Sequence, residues 1–271
     1  MPRVTFLFWN LNRQPATEYV AALVSERDVD VVILAENVVS PMAWIEALSL
    51  GPDRFHFFPG LYDKVQVFAR FDSSMLIPCR DGRRFSIRIL KIPKSGEVLL
   101  AGVHLRDKRN HGPESQAEEC WHLAREIERA EDDRGHRRTI LVGDLNASPH
   151  EFGLISAYRL NATLSRRIAG REDRAIGDIR ARFFFNPMWS KYNDDSDGAP
   201  ATYFYHRGDE VSYYWHMVDQ VLLRPSLLSG FKSSDLEIVS QIGNRTLLRN
   251  GKPDAKLVSD HLPLLFSIDL Q

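Results

Sequence analysis

Thr139-Ile140-Leu141-Val142-Gly143-Asp144-Leu145-Asn146-Ala147-Ser148-Pro149 carries the strongest structural signal in the chain. An apolar, β-branched run ends at Gly143, and an acid and an amide follow two residues apart. Such a run reads as a buried strand. In an extended backbone residues i and i+2 point to the same side. Asp144 and Asn146 are therefore expected to project together where the strand reaches the surface. Ser148-Pro149 stops the strand and can open a helix. A carboxylate beside a carboxamide can hold a water, an oxygen-seeking cation or a phosphoryl oxygen. Asp, Asn and Pro also end strands for purely structural reasons.

Outward from this stretch, strand signals dominate. Residues 4–9 and 29–35 read as buried strands, with a helix over 17–27 that places Val20, Leu23 and Val24 on one face. Val31 to Ala35 again delivers an acid, Glu36, at the end of an apolar run. Residues 55–58, 65–71, 75–78, 85–92 and 98–105 read as successive strands, the last two joined by a turn at 94–97. The longest helix is expected over 113–131, packed through Ala117, Trp121, Ala124 and Ile127, with 132–135 ending it. Residues 193–198 form an acidic, turn-rich segment. Residues 201–205, 213–223, 236–241 and 262–268 return to strand patterning. No repeat or linker interrupts the chain. The expectation is an α/β protein with one domain over residues 1–271, two sheets face to face and helices outside.

Composition narrows the function classes. The chain of 271 residues is 44% hydrophobic and 26% charged, ordinary for a soluble protein. A net charge of -1 provides no global positive field for nucleic acid, so any polyanion must be met by a local patch. Two cysteines, Cys79 and Cys120, are too few for a disulfide framework. There is no apolar run of membrane-spanning length. The N-terminus enters a strand-like segment without a basic and apolar leader, which leads to the expectation of a cytoplasmic location and no membrane partner.

Several strand ends share one chemical character: Trp9-Asn10-Leu11-Asn12, Glu36, His104, Asp144 with Asn146, and Ser259-Asp260-His261. Asp219 is an acid inside the apolar run 217–223, which is costly to bury unless paired. Each of these alone has a structural explanation as a turn, a cap or a core histidine. Together they are hard to explain as punctuation.

The ordered set Trp-Asn-x-Asn, Leu-Ala-Glu, Val-His-Leu, Gly-Asp-Leu-Asn-Ala-Ser-Pro, Val-Asp-Gln-Val-Leu-Leu and Ser-Asp-His-Leu-Pro resembles the endonuclease/exonuclease/phosphatase superfamily, the deoxyribonuclease I-like group. The motifs run from residue 9 to residue 263, essentially the whole chain. The resemblance implies a four-layer αββα sandwich of two mostly antiparallel sheets, with the site at one end of both. It also implies hydrolysis of phosphoesters with a divalent cation, Mg²⁺, for which Mn²⁺ can substitute. Carried over position by position, it implies Glu36, Asn10 and Asp260 at the metal. Asp144 would orient or deprotonate the attacking water, and Asn146 and His261 would donate to the phosphate. Asp219 would hold the other ring nitrogen of His261. His104 would touch the phosphate or protonate the leaving group. Asn12 would bind substrate or simply shape its loop. Ala147-Ser148 and Val218-Asp219-Gln220 depart from the pattern of the inositol polyphosphate phosphatases, which argues against that substrate.

For the substrate, a nuclease acting on DNA or RNA is the leading expectation. Arg106, Lys108, Arg109 and His111 follow the His104 strand, and seven arginines lie between 159 and 182. Both groups are expected to rim the site and contact backbone phosphates. Tyr203, Tyr205, Tyr213, Tyr214 and Trp215 offer stacking faces for bases. The alternatives are a phosphatase or phosphodiesterase acting on a small phosphorylated metabolite or lipid headgroup, and a silent member used as a binding module. The near-neutral charge favours the former. The intact acid and histidine motifs disfavour the latter.

Overall fold

Alternation along the inner strands places one set of side chains in each of two cores. Ile140 and Val142 pack between the sheets while Leu141 packs under the long helix, so every residue of the strand is buried. The computed structural model describes residues 2–50, 53–93, 95–107, 112–194, 198–206, 210 and 212–270.

The chain opens with β1 (Arg3–Asn10), α1 (Thr17–Glu26), β2 (Val31–Ala35), α2 (Pro41–Leu48), β3 (His56–Phe58) and β4 (Val65–Ala69). Then come β5 (Leu76–Gly82), β6 (Phe85–Ile92), β7 (Gly96–His104), α3 (Pro113–Arg134) and β8 (Thr139–Asp144). Shorter pieces follow: α4 (Phe152–Ile155), β9 (Ala162–Thr163), α5 (Arg166–Ala169), β10 (Asp173–Ile176), β11 (Ile179–Arg182) and β12 (Phe184–Phe185). The last part holds β13 (Tyr203–Phe204), β14 (Trp215–His216), β15 (Asp219–Leu223) and β16 (Leu236–Ile238). After two small ribbons, β17 (Gln241–Ile242) with β18 (Arg245–Thr246) and β19 (Leu248–Arg249) with β20 (Lys252–Pro253), β21 (Leu264–Asp269) closes the chain.

One sheet runs β16-β21-β1-β2-β4-β3 and is antiparallel except between β1 and β2. The other runs β5-β6-β7-β8-β15-β12-β9 and is parallel only at β7–β8 and β9–β12. β1 and β2 pack over β8, and β4 over β7. Val20, Leu23, Trp44 and Leu48 bring α1 and α2 into the core of the first sheet, while α3 covers the second through Cys120, Leu123, Ala124 and Ile127. This is the α/β, four-layer αββα architecture of the deoxyribonuclease I-like fold. Among the described residues no helix is long and apolar enough to cross a membrane.

Several details differ from the sequence reading. Trp121 is 48% exposed at the edge of α3, whose buried stripe runs instead through Gln116, Ala117, Cys120, Leu123, Ala124, Ile127, Ala130 and Glu131. α3 continues to Arg134 and is closed by Gly135 in the left-handed region, φ 69. The apolar run 213–223 holds two strands, β14 and β15, with Met217 and Val218 between them outside either strand. α2, started by Ser40 accepting from the Ala43 N–H and by Pro41, had no counterpart in the sequence reading. Lys94, Lys108, Arg109, His111, Asp195, Ser196 and Asp197 lie outside the described residues.

Candidate active site

Strand register assembles the site. In the second sheet His104 of β7 lies opposite Asp144 of β8, and Asp144 lies opposite Asp219 of β15. In the first sheet Asn10 of β1 lies opposite Ala35 of β2, so Glu36 leaves β2 at the same level. Ser259, Asp260 and His261 precede β21, which runs antiparallel to β1, and so arrive at the same end. Two sheets stacked in register deliver their polar strand ends to one place without any single element carrying the site.

The Asp144 turn is built differently from the extended geometry expected. Asn146 has φ 48, and its N–H donates to Asp144 Oδ1 at 2.8 Å. The two side chains meet through this side-chain-capped turn, not through the pleat. Gly143, at φ 150, lets β8 approach β7: a Cβ there would come within 2.0 Å of the Val103 carbonyl oxygen. Two buried amides hold the turn from behind. Gln116 Nε2 donates to the Leu145 carbonyl at 2.6 Å, and Gln220 Nε2 donates to the carbonyls of Ala147 at 2.5 Å and Met217 at 2.9 Å. Nothing in their sequence context marks these glutamines, because the carbonyls of Leu145 and Ala147 that they hold are far away in the chain.

Asp219 and His261 form a buried pair, Oδ2 to Nδ1 at 2.8 Å. Burial opposes charge on His261. Asp219, then Asp144 and Asp260, outweigh it and push the imidazole up to about 10, so it is an imidazolium at neutral pH. Burial, reinforced by Asp219, pushes Asp144 up to about 7. Asp144 Oδ2 accepts from Asn10 Nδ2 at 3.0 Å, and Asn10 Oδ1 accepts from the Asn12 N–H at 3.0 Å. Ser259 Oγ ties the segments together, donating to the Asn10 carbonyl at 2.7 Å and accepting from the His261 N–H at 3.1 Å. Thr202 Oγ1 accepts from the Asp219 N–H at 3.1 Å. His104 Nε2 lies 3.4 Å from Glu36 Oε1 and 3.8 Å from Asp144 Oδ2. Burial drives His104 down to about 4 against the pull of Glu36, with Arg84 and Lys64 adding to the shift, so its ring is neutral.

These groups open on a cavity of about 600 Å³. Glu36, His104, Asp144, Asn146 and His261 form its floor, with Asn10 and Asp219 behind them. Arg13, Lys64 and Arg84 stand on one flank, and Tyr203, Tyr205, Tyr213, His150 and His216 on the other. The Tyr203 ring lies 4.7 Å from that of His261.

The expected basic rim is mostly elsewhere. Arg106 is not part of the wall: its N–H and its guanidinium both reach Glu119, at 2.9 and 2.7 Å. None of the seven arginines between 159 and 182 lines the cavity. Arg182 reaches Glu131, which also accepts from Arg224 and from Thr139 at the start of β8. That network sits about 17 Å of strand away from Asp144. Arg166 donates to the carbonyls of Leu228 and Phe231, and Arg159 to that of Ala117. Asn12 does not line the cavity either. At φ 45 it turns the loop after β1, and its N–H is held by Asn10.

A divalent cation suits the acids at the first sheet's end. Asp260 Oδ1 is buried without a hydrogen-bond partner, and burial raises the Asp260 pKa. A hard cation would compensate that desolvated oxygen. Glu36, whose charge is felt at Asp260, supplies a second carboxylate, and Asn10 Oδ1 keeps a lone pair. Asp144, Asp219 and His261 also cluster within 4.8 Å. There His261 Nδ1 carries the proton it donates to Asp219 and has no lone pair for a cation, which makes that trio a poor cation cage.

The fold matches a truncated TDP2 of Caenorhabditis elegans at 14% identity and a TM-score of 0.58, over 98% of this chain and 97% of that one. The 3′ phosphatase NExo from Neisseria, bound to a product DNA hairpin, matches at 15% identity and 0.56, over 98% and 99%. The human nocturnin catalytic domain matches at 15% identity and 0.59, over 100% and 95%. No curated protein sequence matches the chain. The model of the endonuclease/exonuclease/phosphatase family matches residues 7–261, and the chain belongs to that family.

Proposed function

We propose that the protein is a Mg²⁺-dependent phosphodiester hydrolase acting on DNA or RNA. The observation that carries this is the buried Asp219–His261 pair at 2.8 Å beside Asp144 at the cavity, with the unpartnered Asp260 Oδ1 on the residue before His261. Asp144, poised near neutrality, orients the attacking water and takes its proton as the new P–O bond forms. The His261 imidazolium donates from Nε2 to a non-bridging oxygen, while Asp219 holds Nδ1. Asn146 spends one amide hydrogen on the Leu105 carbonyl at 2.9 Å and offers the other to the phosphoryl group. His104, neutral, donates toward the oxygen of the breaking bond. A cation held by Glu36 and Asp260, with Asn10 alongside, would neutralise phosphate charge and stabilise the leaving oxyanion.

Support for a nucleic acid comes from the tyrosines on the cavity wall and from NExo, a relative in fold that carries a DNA product. A second reading, hydrolysis of a small phosphoester, draws on the net charge of -1 and on the arginines that stand away from the cavity. Incubation with Mg²⁺ and plasmid, single-stranded DNA, RNA and bis(p-nitrophenyl) phosphate separates them. Cleavage of a polynucleotide is the expected result. Turnover of the chromogen alone would move the assignment to the second reading. Wild type as inactive on every substrate as an Asp144→Ala/His261→Ala variant would remove both.

A further inference from the structure

Charge is distributed across the cavity in an order that the register dictates. Ala35 of β2 pairs with Val65 of β4, and Phe85 of β6 pairs with Val103 of β7. Lys64 immediately precedes β4 and Glu36 immediately follows β2, while Arg84 lies opposite His104. The Arg84 carbonyl accepts from the His104 N–H at 2.9 Å, which fixes that level. Because β4 packs over β7, beside β6, the two cations come from different sheets to the same flank. Both line the cavity, and both bear on His104 by disfavouring its protonation. Neither is joined to an acid by an ion pair among the described residues, whereas Arg13 beside them lies 3.6 Å from Glu36. The opposite flank, past β15, carries rings: Tyr213 stands 5.5 Å from His150 and 60% exposed, and Tyr203 stacks near Tyr205 at 6.2 Å.

We propose that Lys64 and Arg84 form a second phosphoryl subsite, so that the substrate is a nucleotide unit carrying two phosphoryl groups, with its base toward Tyr213. The proposal rests on the phosphoesterase reading for the position of the first phosphoryl group, over Asn146 and His261. Lys64 is exposed and Arg84 half-buried, and with neither spent on an ion pair both remain open to a bound anion. A bound anion supplies the missing partner, and charge-assisted contacts of this kind are the strong ones. The order cation, acid and imidazolium, ring matches the order phosphate, scissile phosphoryl, base. The second group can be a backbone diester of a polynucleotide or a terminal phosphate of a small nucleotide.

Calorimetric titration in EDTA tests this without turnover. Thymidine 3′,5′-bisphosphate is expected to bind wild type about tenfold or more tighter than thymidine 5′-phosphate. Lys64→Met/Arg84→Met should erase that preference. Tyr213→Leu should weaken both ligands and keep the ratio. Arg171→Met/Arg180→Met, which removes the same charge outside the cavity, should also keep it. Equal affinities in wild type, or a preference that survives Lys64→Met/Arg84→Met in protein of unchanged melting temperature, would overturn the subsite. A 5′-phosphorylated thymidine dinucleotide binding tighter than the bisphosphate assigns the second group to a polynucleotide backbone, and the reverse order assigns it to a small nucleotide. Hydrolysis of bis(p-nitrophenyl) phosphate, measured in parallel with Mg²⁺, reports on the phosphoesterase reading separately, because that substrate has a single phosphoryl group.

Discussion

Asp219 Oδ2 lies 2.8 Å from His261 Nδ1; Asp219 is fully buried, and His261 is buried except where it lines the cavity. The carboxylate therefore does two things: it orients the ring so that Nε2 faces the cavity, and it keeps the ring charged. Asp219→Asn preserves the shape and removes the charge. We expect kcat/KM to fall by about a hundredfold or more. The alkaline limb of the pH profile should move down, because the imidazolium that wild type retains up to about 10 is then lost at lower pH. A variant with wild-type activity and an unmoved alkaline limb would show that the pair is only structural.

The two buried titrating groups link stability to pH in metal-free protein. Folding raises Asp144 from 3.8 to about 7 and His261 from 6.5 to about 10. A group raised by folding contributes stability that is complete below its unfolded pKa and is lost as pH rises through the folded one. EDTA-treated protein should thus melt lower at about pH 9 than at about pH 6, by about 5 °C or more. Mg²⁺ should restore more stability at the higher pH, where the carboxylates are ionised. Differential scanning calorimetry at the two pH values decides this, and a higher melting temperature at about pH 9 without metal would reverse the assignment.

Gln220 touches no reacting group in this account, yet it holds Ala147 and Met217 while accepting from Asn186 Nδ2 at 2.7 Å. Gln220→Met leaves two carbonyls and an amide without partners, a loss of about 1–3 kcal/mol. Its larger effect should fall on kcat, by about tenfold, with KM nearly unchanged, because the Asp144–Asn146 turn loses its backing. Steady-state kinetics with a denaturant melt separates the two effects.

At the far end of the sandwich Glu131 and Arg224 are almost completely buried, and the Arg224 guanidinium lies 3.8 Å from the Phe184 ring centroid. Glu131→Gln strands Arg224 and the half-buried Arg182, at a cost of about 3–5 kcal/mol. Activity per folded molecule should stay within about twofold, since the network is remote from the cavity. Urea unfolding beside an activity assay checks both halves.

The strands that carry the site were legible because β2, β7 and β8 are apolar on both faces and then change character abruptly, at Glu36, His104 and Asp144. Motif order singles out Asp219 and Asp260. What stayed hidden depended on distant partners. The arginines between 159 and 182 look like a phosphate-binding rim until Asp173 is seen to meet Arg180, and Glu131 and Asp132 to meet Arg182. Lys64 and Arg84 look like ordinary surface residues until register brings them to the cavity. Trp121 had the spacing of a core residue, but Cys120 and Leu123 take that face of α3. Local spacing reports which face a residue shares, and not what covers that face.

The central claim is metal-dependent phosphoester hydrolysis at Asp144. Its most direct measurement is the initial rate of cleavage of a single-stranded oligonucleotide by wild type and by Asp144→Asn, with Mg²⁺ and with EDTA. Wild type should turn over with Mg²⁺ and not with EDTA, and Asp144→Asn with its fold intact should be at least about a hundredfold slower. An Asp144→Asn rate equal to that of wild type, or cleavage undiminished by EDTA, would contradict it.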